Sequence, residues 1–254
     1  MEALLRDLVA LGLTGLLCLL RLEAASFGAA EYDEPAFSDS PSPLRTRTAW
    51  YVLGFGLVVA VLLVQPAPSN ELELGLGDRG GALFGGFGLG AIGAGVVVSF
   101  AWIRYGRLRM PPLWSYPGAV VNAIGTAFID EATFRGLVLG FLLLAGVDSL
   151  PAIVIQAILY VLATRTGAPG RSRHVFGLAV FIGIGGGWLT TLTGGIGAAF
   201  LGHAITRIAL FVCTGHAGQP APRRQEPEDS WELRRSPEGW RRADSPAEDV
   251  RADR

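Results

Sequence analysis

The residues with chemistry to offer lie in Ala127–Gly136, which reads Ala-Phe-Ile-Asp-Glu-Ala-Thr-Phe-Arg-Gly. Asp130, Glu131 and Arg135 fall inside an apolar run from Gly118 to Gly146. An ionised side chain at a bilayer centre costs about 2.5–3.5 kcal/mol on insertion scales. Three in one span therefore call for a polar site facing other helices. Glu131 and Arg135 stand four apart, so on a helix they share a face and can pair. Asp130 projects about 100° away, to a neighbouring face. A second pair, His203 and Arg207, also stands four apart in a later apolar run. Carboxylates beside imidazole are general-base or metal-ligand chemistry.

The elements that must position them are membrane helices. Half of the 254 residues are hydrophobic and only 17% are charged, with a mean hydropathy of +0.41. That profile fits an integral membrane protein, and a net charge of −1 gives no basic signal for nucleic acid. All basic residues other than histidine are Arg, a compositional bias without mechanistic content. Cys18 and Cys213 sit in separate apolar runs without CxxC spacing, which reads as two inert thiols.

The expected fold is an all-α polytopic bundle of about seven spans, or six if the N-terminal run is cleaved or does not span. Residues 1–26 form an N-terminal hydrophobic segment with its apolar run at Leu8–Leu20. A short span is favoured over a signal peptide there, because Asp7, Arg21 and Glu23 break the signal pattern. Residues 27–48, rich in Asp, Glu, Ser and Pro, read as a flexible loop. The bundle occupies 49–214, with spans at Ala49–Gln65, Gly80–Ile103, Gly118–Gly146, Pro151–Thr164, His174–Thr193 and Ile196–Cys213. Residues 215–254 read as a disordered tail.

Three local readings follow. Trp50 and Tyr51 suit a membrane interface, and Leu72, Leu74 and Leu76 are expected to dip into headgroups. Gly88–Gly93 matches GxGxxG only formally, because it lies inside an apolar helix. Gly81/Gly85 and Gly86/Gly90 instead fit the small-xxx-small pattern of close helix packing. The loops after the third and fifth spans each carry three arginines, while those after the fourth and sixth carry none. The positive-inside rule then puts the arginine-rich loops and the C-terminus in the cytoplasm. The spans holding Glu131 and His203 run antiparallel, so their polar faces are expected to meet at similar depth.

Asp-Glu-Ala-Thr-Phe-Arg-Gly at Asp130–Gly136 resembles the Glu-Glu-x-x-x-Arg motif of the CPBP family. These are the CAAX prenyl protease type II and bacteriocin-processing, Abi-like, intramembrane proteases. Gln156–Thr164 resembles the helix carrying that family's Phe-x-x-x-His motif, and Gly187–Arg207 resembles its final helix, ending His-x-x-x-Asn. The resemblance covers about residues 72–211. It implies an intramembrane endopeptidase whose acidic pair, two histidines and asparagine form a metal or glutamate site that activates water. It also implies a bacterial plasma membrane location and a membrane peptide or protein as substrate, with lipid around it. Oligomeric state does not follow from it.

Carried over residue by residue, Glu131, Arg135 and His203 match, and Asp130 replaces the first Glu. Tyr160 takes the aromatic position, but Thr164 stands for the second His and Arg207 for the Asn. A zinc ion, if one binds, would fall to Asp130, Glu131 and His203. Thr164 is a poor ligand and Arg207 would repel a cation. Asp130 and Glu131 against Arg135 and Arg207 already balance in charge. Left unpaired, four such ions would cost on the order of 10–14 kcal/mol. The expectation is that Arg207 pairs with Asp130 or Glu131 and fills the place of the metal or its water. Two readings stay open: an endopeptidase of altered or impaired site with Asp130 as base, and a non-catalytic binding or scaffold protein. Ion pairs that merely fix helix register are the plainer alternative. A transporter is disfavoured, since there is no internal repeat.

Overall fold

A computed structural model describes residues 2–24, 26–27, 41–65, 71–105, 108, 110, 113, 117–166 and 173–214. The chain divides into two units, Met1–Pro220 and Ala221–Arg254. The second unit, and with it most of the expected tail, lies outside the described residues, as does most of the expected acidic loop.

Among the described residues the molecule is all helical, apart from a single antiparallel bridge between Leu76 and Gly195. The helices are α1 (Glu2–Leu22), α2 (Pro41–Val64), α3 (Arg79–Tyr105) and α4 (Pro117–Glu131). A π-helical segment, Ala132–Val138, follows, and then α5 (Leu139–Leu144), α6 (Ser149–Thr166), α7 (Arg173–Thr193) and α8 (Gly197–Thr214). Five of them contain stretches long and apolar enough to cross a membrane: Glu2–Leu22, Thr46–Val64, Arg79–Ile103, Phe176–Thr193 and Gly197–Thr214. The rods at the other two expected spans are the α4–π–α5 rod and α6. Leu4, Leu8, Leu11, Phe84, Phe87 and Ile92 are exposed along outer faces, as an apolar solvent requires. The protein is an integral membrane helix bundle.

Four expectations need correction. α2 begins at Pro41, inside the stretch read as loop; Pro41 falls where a first turn tolerates proline, since its missing N–H would have had no partner. Trp50 is fully buried, and its indole N–H donates to the Leu20 carbonyl at 2.9 Å, tying α2 to the end of α1. The Tyr51 hydroxyl likewise faces inward, accepting from Asn122 Nδ2 at 2.8 Å. Leu72 and Leu74 do not reach for headgroups. They lie against Gly140 and Gly136, where an added Cβ would collide with them.

That strap is fixed by backbone bonds. Asp78 N–H donates to Thr193 O and Ile196 N–H to Gly75 O, both at 2.8 Å. Gly77 and Gly194 turn with φ of +75° and +72°, a region costly for other residues. Residues 71–78 thus lie over the π segment and brace it.

The glycines of α3 pack closely, as the small-residue pattern requires. A Cβ on Gly86 would stand 2.8 Å from Leu201 Cβ and 3.0 Å from the Ala198 carbonyl oxygen, and one on Gly90 2.8 Å from Ile205 Cβ. Gly85 faces Leu189 of α7 in the same way.

Candidate active site

The site is built where α4 gives way to the π segment. Glu131 ends α4 and Arg135 lies one turn on, within the wider π turn. The expected intrahelical pair forms, with Arg135 Nε 3.1 Å from Glu131 Oε2. Arg135 is anchored twice more. Its Nη2 donates to the Ile182 carbonyl at 2.9 Å, and its guanidinium lies 4.1 Å from the Tyr160 ring centroid, a cation–π contact made in a dry interior. Glycines on α7 make room: a Cβ on Gly186 would stand 3.2 Å from Arg135 Nε. Gln156, also buried, crosses to α7 and donates to Gly183 O at 2.8 Å.

The antiparallel register expected for α4 and α8 brings His203 to Glu131, Nδ1 to Oε1 at 2.7 Å across 72 residues of sequence. Tyr160 closes the other side of the imidazole, its hydroxyl 3.4 Å from Nε2. Phe134 packs edge-on against Tyr160, with ring centroids 5.4 Å apart. Nδ1–H can donate to the Glu131 carboxylate, and in the neutral ring with that tautomer Nε2 is free to accept from the Tyr160 O–H.

Asp130 points elsewhere. Its Oδ1 lies 2.6 Å from Arg21 Nε, at the end of α1. Arg21 is 4% exposed and Asp130 0%. The contact is an ion pair and not an aligned N–H···O bond, and Oδ2 has no hydrogen-bond partner among the described residues. The expected exchange with Arg207 is therefore corrected, because the arginine on Asp130 is Arg21. The reason is register. In an antiparallel pair, four residues forward on α8 match several residues back on α4. Arg207 thus reaches the level of Asn122, donating to its Oδ1 at 2.9 Å, while Asp130 faces round towards α1. Thr164 lies one turn beyond Tyr160 on α6, its hydroxyl buried without a hydrogen-bond partner among the described residues.

The donor set does not fit a metal as it stands. Glu131 turns one oxygen to Arg135 and the other to His203, and Asp130 faces a guanidinium. Among the described residues no three His, Cys, Asp or Glu side chains come together as a metal site requires.

Arg21, Asn122, Tyr51 and Gln156 were not among the site residues expected from the sequence. Arg21 carried the only visible signal, a charge at the end of an apolar run, and it read instead as an interruption of a cleavage site.

Residues 112–209 match the family model described as Rce1-like, type II CAAX prenyl endopeptidase Rce1-like. No curated protein and no solved structure matches the chain. The matched segment contains Asp130, Glu131, Arg135, Tyr160, Thr164, His203 and Arg207, and leaves out Arg21. Over residues 112–209 the chain is thus similar to the Rce1-like family, the type II CAAX prenyl endopeptidases.

Proposed function

We propose that the protein is a slow intramembrane endopeptidase of the CAAX type, acting on a membrane-associated peptide or protein. One observation carries this reading: Glu131 and His203 meet at 2.7 Å in a buried site beside Asp130, whose Oδ2 is an open acceptor. Asp130 Oδ2 takes the proton of a water as that water attacks the scissile carbonyl, and passes it to the leaving nitrogen. Glu131 holds the His203 ring in place, and His203 with Tyr160 supplies the neighbouring polar wall. The Arg21 guanidinium lies on Asp130 Oδ1 and leaves one carboxylate oxygen for the water. Together with Thr164 and Arg207 at the positions of His and Asn, this slows hydrolysis. No step runs through a metal. The arginine asymmetry of the loops supports a C-terminal end on the cytoplasmic side, in our reading of a bacterial plasma membrane.

A second reading, a non-catalytic membrane binding protein, draws on the arginine beside each carboxylate. The purified protein in nanodiscs is given prenylated C-terminal peptides and a panel of transmembrane peptides. Slow cleavage is expected, falling about 10²–10⁴-fold in Asp130→Asn, the usual contribution of a positioned base. Thr164→His with Arg207→Asn should raise the rate. A wild type that cleaves nothing, beside a double variant that does, selects the non-catalytic reading.

A further inference from the structure

We propose that Arg207, aimed by Asn122 and flanked by Tyr51 and Arg47, anchors the free C-terminal carboxylate of a membrane-associated peptide, so that the protein selects substrates cut close to their C-terminal end. For where the peptide is cut, the inference rests on the peptidase reading; for the capture of a carboxylate it does not.

Three observations carry it. The first is charge. Among the described residues Arg21, Arg47 and Arg135 are buried, against the carboxylates of Asp130 and Glu131, and half-buried Arg207 adds a further cation. Counted together, these cations exceed the buried carboxylates, and an ionised group inside a membrane bundle is costly enough to call for a function. The second is geometry. Arg207 Nη2 donates to Asn122 Oδ1 at 2.9 Å, and Asn122 Nδ2 donates to the Tyr51 hydroxyl at 2.8 Å. Both ends of one buried amide thus aim a guanidinium and a phenol. The phenol oxygen accepts from Asn122, so its proton can go to Thr126 Oγ1, 3.4 Å away, or to an oxygen of a ligand. Arg47 stands one turn before Tyr51 on α2, and it and Arg207 both act electrostatically on that hydroxyl. A planar guanidinium beside a hydroxyl suits a carboxylate, which takes paired N–H bonds from the one and an O–H bond from the other. The third is placement. Arg207 and His203 share a face of α8, four residues or about 6 Å apart, and Asn122 lies eight residues or about 12 Å before Asp130 on α4. Extended peptide advances about 3.3–3.6 Å per residue, so a carboxylate held at Arg207 leaves about two to four residues before the Glu131–His203 site. Arg207 also lies about 10 Å inside the end of α8 at Thr214, a depth that favours a peptide terminus reaching inward over a lipid phosphate at the helix end.

The test is binding, read by fluorescence anisotropy on the full-length protein in phosphatidylcholine nanodiscs. The probe is a fluorescent farnesylated hexapeptide, made as the free acid and as the C-terminal amide. Wild type should bind the acid about tenfold to a hundredfold more tightly than the amide, the range for one charge-assisted pair. Arg207→Gln should erase that preference while binding the amide as wild type does, which shows that the variant is folded. Arg207→Lys should keep part of the preference, having the charge without the planar fork. In the cleavage assay the acid should be cut at a lower KM than the amide, with a released fragment of about two to four residues. Arg207→Asn should raise that KM even where it raises turnover. Equal binding of acid and amide by the wild type overturns the inference, as does a preference that survives in Arg207→Gln. If binding is equal and phosphatidylglycerol protects the wild type but not Arg207→Gln against heat, the site belongs to a lipid phosphate. An acid preference that needs Arg207 but comes without any cleavage overturns the peptidase reading and leaves the anchor. Cleavage without an acid preference overturns the anchor and leaves the peptidase.

Discussion

Two seams in this bundle are held by opposite means. Along α3 and α8 there are glycines and aliphatic side chains, and Gly86 and Gly90 let the helices approach until a single added carbon would collide. Around the π segment the contacts are ionic: Arg21 with Asp130, and Arg135 and His203 with Glu131. In lipid the hydrophobic effect does not drive helices together, so association rests on close packing and on polar contacts. The glycine seam loses only packing when altered, in proportion to the overlap. The ionic seam can lose a partner and strand a charge, and that penalty is larger and abrupt.

Substitutions can break or sharpen this contrast. The largest effect is expected from Glu131→Leu, which strands Arg135 among apolar groups and should cost about 3–5 kcal/mol, read as a fall in unfolding free energy in detergent. If that cost is no greater than at Gly86, the two seams are not different in kind. Gly86→Ala should cost about 1–3 kcal/mol by overpacking against Leu201 and the Ala198 carbonyl. Its control is Gly88→Ala, where nothing lies within 4 Å. There the loss of glycine's backbone freedom should stabilise by about 0.5–1 kcal/mol in the same assay. Trp50→Phe removes the bond to Leu20 O and should cost about 0.5–1.5 kcal/mol, with faster maleimide capture of Cys18. Arg6→Ala breaks a pair about one-third exposed on each side, and should change stability by no more than about 1 kcal/mol, less at high salt.

The sequence was most legible where periodicity and spacing decide structure. Apolar runs announced the rods, and the i,i+4 spacing announced Glu131 with Arg135. Antiparallel order also announced His203 opposite Glu131, because chain direction alone brings those depths together. Arg21 was not legible: nothing local says that the end of one helix meets the face of another more than a hundred residues on. Arg207 was misjudged for a related reason. Its type and motif position suggested a partner, but the partner depended on register and side-chain reach, which carried it to Asn122. Trp50 shows the limit of residue type as a guide. An amphipathic ring suits an interface, yet it equally suits a buried place where a carbonyl waits for its N–H.

The π segment has a consequence for how this chain can vary. A π turn is an extra residue absorbed into an α-helix, so it works as a phase shifter. Everything before Ala132 is set by one rotation about the helix axis, and everything after Val138 by another. Asp130 and Glu131 can be aimed at α1 and α8 while Leu139 is aimed, independently, at the apolar cluster with Ala152 and Ile153. Deleting one residue from this segment would restore a single phase, turning one half of the rod by about 100° against the other. The acidic pair or the packing face would then keep its bearing, but not both.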